Sequence, residues 1–367
     1  MAFDILGLAI SFASIYGIYT ILSISLNLEY GFGGQPNFGQ VLFYGLGAFV
    51  SAILVANLLP ILSHVTLTSI CDSSALIQRE TIALGNSSLA ISTWALALIF
   101  AMIVGGVAGF FLAYPAIRVK EEWFLAMILL VAGDMFVIVV NNTPQFGCGL
   151  NGVPGILTPF SWLAASIENA YPAMNPAIPN YVSTGAYALI ILVITLLCYL
   201  AAEKLVKSPY GRLLKSIRDD PVAAESLGKD INKARRQIMV IGSAMAGLAG
   251  GLYVFYIGVA TTEDYVSALT FSLWVIMILG GFANNKGVLV GAFILTALDR
   301  GSVILGTLIQ SYFPGFNADL VIYVKYMLEA VILLLLLVYR PKGMLPERPV
   351  KTVAYDEFHS GDAEEKK

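Results

Sequence analysis

Apolar runs longer than 20 residues with no charge recur along this sequence, and they decide most of what it can become. Ile5–Leu28, Tyr30–Ser63 and Thr81–Ile117 contain no Asp, Glu, Lys or Arg. Six further runs follow: Trp123–Val140, Tyr181–Ala202, Gln237–Ala260, Val266–Ala283, Gly287–Gln310 and Leu320–Tyr339. A membrane-crossing helix needs about 20 mostly apolar residues, so nine such spans would use about 180. Each run is longer than the roughly 10-residue strand of a membrane barrel and none alternates, which favours helix. Composition agrees. Hydrophobic residues make up 58% of the 367-residue chain and charged residues 12%, against roughly a quarter charged in a soluble domain. The expectation is an all-α polytopic membrane protein with about nine transmembrane helices, and a large soluble enzyme is excluded.

Basic residues of short loops stay on the cytoplasmic side. Loop 203–236 carries Lys204, Lys207, Arg212, Lys215, Arg218, Lys229, Lys233, Arg235 and Arg236. Arg118 with Lys120, Lys286, and the stretch from Arg340 to Lys351 form the other basic segments, whereas 141–180 has no Lys or Arg and 63–89 only Arg79. Nine spans with loop 203–236 inside place every basic segment in the cytoplasm, the N-terminus outside and the C-terminus inside. The N-terminal segment, with no positive charge before Arg79, does not read as a signal peptide. The domain layout is then a transmembrane unit over 1–345 and a polar cytoplasmic tail over 346–367, whose composition suits disorder.

Cys71, Cys148 and Cys198 are too few for a disulfide framework, but Cys71 and Cys148 share the outer side, where a bridge between the two long loops is possible. His64 and His359 are too far apart in sequence to suggest a metal centre. The proline-rich outer loop 141–180 reads either as a plain connector or as a docking surface or cover.

Between the first two apolar runs lie Gly31, Gly33, Gly34 and Pro36, which cannot all sit in a regular helix. Two readings stand: a tight turn leading into a small-residue interface at Gly45, Gly47 and Ala48, or a broken segment beside a transport pathway. In the second, Gly33, Gly34, Gln35, Phe38 and Gln40 are pathway residues. No Gly-Lys-Ser or Gly-Lys-Thr follows, so the chain has no P-loop. If ATP drives transport, another subunit hydrolyses it.

Within the basic loop, Asp219 or Asp220 is a good N-cap, Pro221 suits the first helical position and Gly228 a left-handed stop. A helix of about two turns over Val222–Leu227 cannot stand alone in water. It packs on its own bundle or headgroups, or it enters a groove on a cytoplasmic partner.

Ala223-Ala224-Glu225-Ser226-Leu227-Gly228 followed by Asn232-Lys233 resembles the Glu-Ala-Ala-type loop of ABC importer permeases. Arg212–Asp220 resembles the branched-chain amino-acid importer permeases in particular. So do Leu26-Asn27-Leu28 with Gly31, Gly34-Gln35 and Phe38-Gly39; Ala244–Leu252; Gly280-Gly281 with Gly287 and Gly291-Ala292; and Arg340–Met344. Trp123–Asp134 followed by Gly149–Val153 resembles the longer of the two paired permeases. Gln40 stands where the family usually has His. The resemblance, over residues 20 to 345, implies an ABC importer permease-like bundle in the plasma or inner membrane. It implies ATPase coupling through Arg218, Asp219, Asp220, Val222, Ala223, Ala224, Glu225, Leu227 and Gly228. Implied partners are a second homologous permease, two cytoplasmic ATPases that bind ATP and Mg, an extracytoplasmic amino-acid-binding protein and the lipid bilayer. No cofactor in this chain, no resident metal and no nucleic acid are implied.

Charges inside spans are costly and mark function or pairing. Asp134 either steadies the ammonium of an amino acid or makes a structural bond. Lys325 and Glu329, four residues apart on one helix face, are expected to neutralise each other. Asp299-Arg300 marks a span mouth or a break. Three functions compete. The first is the ATP-driven permease, for branched-chain or other hydrophobic amino acids or for urea and amides. The second is an ion-coupled secondary transporter using Asp134 and Asp299. The third is an intramembrane enzyme, for which no paired Asp motif, Cys-His pair or metal-ligand cluster appears.

Overall fold

The computed structural model describes every residue except 1–3, 66–69, 72, 119–121, 174, 176, 314–318, 341–342 and 348–367. The basic loop residue Lys120, Pro341-Lys342 of the C-terminal motif and nearly all of the polar tail lie outside the described residues.

The chain is almost entirely helical. The first span, α1 (Ile5–Leu26), is capped by Asp4, whose carboxylate accepts from Gly7 N–H at 2.8 Å. That bond to the charged form lowers the Asp4 pKa. The helix does not stop at the glycines but widens into a π-helix over Asn27–Phe32, a form frequent at functional sites. After an irregular stretch comes α2 (Gln40–Leu62). The expected run Thr81–Ile117 is not one element. It divides at Gly85-Asn86 into α3 (Ser73–Gly85) and α4 (Ser87–Arg118), since hydropathy reports burial or lipid contact and not where a helix turns. There follow α5 (Glu122–Asn142), the short α6 (Pro144–Gly147), α7 (Ser161–Ala170) and α8 (Ala177–Lys207). The basic loop holds α9 (Pro209–Asp219) and α10 (Pro221–Ser226). The remainder is α11 (Ile231–Ile257), α12 (Ser267–Gly280), α13 (Asn285–Tyr312) and α14 (Asp319–Tyr339). Among the described residues, 8 helices are long and apolar enough to cross a membrane. The ninth expected span falls on the 21-residue α14, which is helical but not among those eight. Both α13 and α14 run unbroken, so Asp299-Arg300 lies inside a helix and marks no break.

Small residues decide how closely the spans approach, as they do where lipid removes the hydrophobic drive between helices. The most enclosed span is α11. It lays Gly247 against Gly47 of α2, Gly250 against the Tyr44 carbonyl and Ser243 against Gly105 of α4. Likewise α12 and α13 meet at Gly280 and Gly287. Thr195 of α8 donates to the Gly17 carbonyl of α1 at 3.1 Å. By contrast, large apolar side chains such as Phe111, Ile138, Leu189 and Leu334 point outward, as lipid or a partner membrane subunit requires.

At the end of the bundle opposite the basic loop, Cys71 and Cys148 form a disulfide, with Cα atoms 5.5 Å apart. Close by, β1 (Val153–Pro154) pairs antiparallel with β2 (Val259–Ala260). Arg79 is buried there, donating to the Ala75 and Ile70 carbonyls at 3.1 and 2.9 Å. Burial lowers its pKa. Arg79, the one cation of segment 63–89, therefore serves to tie backbone rather than face water.

Candidate coupling hairpin and membrane pathway

Pro209 opens α9 at its first turn, and Gly211, Leu214 and Ile217 bury its inner stripe. Tyr210 donates its hydroxyl to the Ala234 carbonyl of α11 at 3.0 Å, and partial burial pushes its pKa up to about 12. The loop is thus not a flexible stem. Asp220 then reverses the chain in extended conformation, and its carboxylate caps α10 at Ala223 N–H, 3.0 Å away. Pro221 takes the first helical position. Gly228, at φ +73°, ends the turn, with its N–H on the Glu225 carbonyl at 2.8 Å. Ala224 faces inward, whereas Val222 and Leu227 are 73% and 78% exposed. Ala223 and Glu225 are exposed beside them. Two large apolar side chains are thus held outward on a capped, six-residue helix, a compact exposed knob.

Arg218 carries the link from this hairpin into the membrane. Its guanidinium bonds Asp219 at 2.9 Å, the Gly31 carbonyl of the π-helix at 2.6 Å, and Glu347 at 3.0 Å. Lys215 holds the same Glu347 at 2.6 Å. Residues just before Glu347 are themselves pinned, since Met344 and Leu345 donate to the Leu279 and Gly280 carbonyls at 2.9 Å. Gly34, at φ +71°, lies so close to Arg218 that a Cβ would touch its side chain. Neither the helical form of α9 nor the Arg218 contact was expected. Pro209 with Leu214 and Ile217 was the available signal for the helix, but no signal marked a bond 187 residues away in sequence.

The glycine-rich residues gather into a buried polar knot. Gln40 bonds Ser25 and the Leu22 carbonyl, and accepts from Asn37 at 2.9 Å. Asn37 also donates to Glu29 at 2.6 Å. Gln35 N–H reaches the Glu29 carbonyl at 3.0 Å, and the Gln35 side chain is buried. Gly33 caps the π-helix. Phe38 stacks on Trp274 with ring centroids 4.7 Å apart. Glu29, central to this knot, was missed because it is one charge among glycines and looked like a loop residue. Asp134 stands apart, on an exposed face of α5, where it accepts from the Ser267 hydroxyl.

A separate polar cavity of about 160 Å³ opens among α1, α2, α11, α12, α13 and α14, lined by Tyr19, Tyr44, Tyr253, Glu263, Asp264, Ser272, Asp299, Lys325 and Glu329 among others. The expected Lys325–Glu329 ion pair is present, at 3.9 Å, and Lys325 also binds Asp299 of α13, at 2.6 Å. The neighbouring helix supplies the closer anion, which the spacing along one helix could not show. Among the described residues, no group of three or more His, Cys, Asp or Glu is placed to hold a metal ion.

The family described as branched-chain amino acid transport system / permease component matches residues 8–338. The chain belongs to that family. This permease is 30% identical over 348 residues to the probable branched-chain amino acid transport permease protein LivM of Methanocaldococcus jannaschii, covering 92% of this chain and 93% of that one. It is 25% identical to the high-affinity branched-chain amino acid transport system permease protein LivM of Escherichia coli, over 92% of this chain and 70% of that one. The probable LivH permease of M. jannaschii is 27% identical over 45% of this chain and 47% of its own. No solved structure matches the permease.

Proposed function

We propose that the permease is one membrane subunit of an ATP-driven importer of branched-chain or similar hydrophobic amino acids. It lies in the plasma or inner membrane, with its N-terminus outside and the basic loop in the cytoplasm. It pairs with a related permease. Two ATPases bind ATP and Mg and dock on α10, and an extracytoplasmic binding protein delivers the solute. The permease names of its relatives support the solute class. The positive charge of loop 203–236 supports the orientation. The observation that carries the coupling is the chain of contact from the exposed Val222 and Leu227, through the cap Asp220 and its neighbour Asp219 to Arg218, and on to the Gly31 carbonyl inside the membrane bundle. Closure of the ATPases would move α10 and, through Arg218, pull on the π-helical turn between α1 and α2. Gly33, Gly34, Gln35, Phe38 and Gln40 would shift with it.

The test is Gly228→Val together with Leu227→Asp. A β-branched residue in the left-handed region costs roughly 1–2 kcal/mol, too much for a two-turn helix, and a charge at Leu227 spoils an apolar contact. Both variants are expected to insert into the membrane normally, to lose co-purification with the ATPases and to stop uptake of leucine, isoleucine and valine. Full uptake in both would end the proposal.

A further inference from the structure

The polar cavity among the spans has more carboxylate than its cations can satisfy. Asp299 takes the nearest charge of both, with Lys325 at 2.6 Å and Arg300 at 2.7 Å. Asp264 is met by neutral hydroxyls, those of Tyr253 at 3.0 Å and Thr261 at 2.9 Å. Glu329 accepts from Ser272 on one oxygen, at 2.8 Å. Its other oxygen, Oε1, is buried and has no hydrogen-bond partner; it meets Lys325 only as a long ion pair, at 3.9 Å. The residue is only 5% exposed and lines the cavity. A buried carboxylate oxygen without a donor is expensive, and ionisable groups kept within a membrane face a pathway or a ligand. Tyr19 and Tyr44 line the same space, with phenol oxygens that can accept and rings that attract cations.

We propose that this cavity binds a compact monovalent cationic group between Glu329 Oε1 and the tyrosines. An anion would meet Glu329 and Asp264, and an apolar side chain would leave Oε1 without a hydrogen bond. Two sources share this chemistry: the α-ammonium of a transported amino acid, which rests on the import reading above, and an inorganic cation that occupies the site as the bundle moves.

The experiment is thermal denaturation of the full-length permease in lipid nanodiscs, in N-methylglucamine chloride. Methylammonium, sodium and L-leucine are titrated separately, because a ligand of the native state raises the midpoint in proportion to its occupancy. Methylammonium is expected to raise the wild-type midpoint saturably. Glu329→Gln keeps the bond to Ser272 and is expected to weaken that response roughly tenfold, the loss of one charge-assisted hydrogen bond. Tyr44→Phe, a milder change, is expected to weaken it less and serves if the first variant does not fold. A Glu329-dependent response to leucine that exceeds sodium's assigns the cation to the solute, and the reverse assigns it to an inorganic ion. No saturable methylammonium response in the wild type, or an unchanged one in the variants, overturns the proposal. The measurement needs no ATPase and no uptake, so a failed import reading leaves its result standing, and its failure leaves import untouched.

Discussion

Arg218 shows how much one side chain can carry in a bundle with few charges. A single guanidinium joins the basic hairpin through Asp219, the π-helix through Gly31 and the segment after α14 through Glu347. Lysine could not make these three planar contacts at once. Arg218→Gln is expected to leave ATPase co-purification and ATP hydrolysis in place while uptake falls roughly tenfold, the scale of one charge-assisted hydrogen bond. The ratio of solute moved to ATP hydrolysed in reconstituted vesicles checks this. Equal loss of both would make Arg218 part of the docking surface instead. Arg218 was legible from its motif, and Gly31 as a helix breaker and a motif glycine. The bond between them was not, because a carbonyl acceptor leaves no mark in a side-chain pattern.

Among the elements, α10 was readable in advance because every determinant is local. Asp220, Pro221 and Gly228 act within nine residues on the backbone they belong to. The π-helix at Asn27–Phe32 was not readable, since its form depends on bonds from outside. Asn27 accepts from Ala283 N–H at 3.0 Å and donates to Asn285 at 2.9 Å, both across the bundle. A small-residue interface at Gly45, Gly47 and Ala48 was one of two readings the sequence left open, and its partner helix and which glycine meets which backbone were not legible. A Cβ at Gly250 would run into the Tyr44 carbonyl. Gly250→Val should therefore destabilise the bundle by roughly 1–3 kcal/mol, as overpacking does, and lower the denaturation midpoint in detergent. Gly85→Val, where a Cβ has open space, is the control. A midpoint unchanged in Gly250→Val would show that α2 and α11 lie further apart than the structure places them.

For the whole molecule, the two ends differ in chemistry. One end carries the basic hairpin and the segment that holds Glu347, and the other the Cys71–Cys148 disulfide and the β1–β2 ladder. Single-cysteine variants on a Cys198→Ser background, with the disulfide kept, report which end faces which compartment. Ser226→Cys should react with an impermeant maleimide only in inside-out vesicles, and the exposed Leu150→Cys only from outside. The opposite pattern would invert the proposed topology. Nine charge-free or nearly charge-free runs were enough to determine that the chain crosses a membrane repeatedly. A hydrocarbon solvent acts on each run by itself and needs no partner to be named. Local capping likewise determined the knob on the basic loop. Only the tertiary structure decided which charges meet. Lys325 lies one turn from Glu329 but closer to Asp299, 26 residues back in the chain. Electrostatics inside a bundle depends on distance in space, and a helix packed alongside can bring a carboxylate nearer than the next turn of the same helix does.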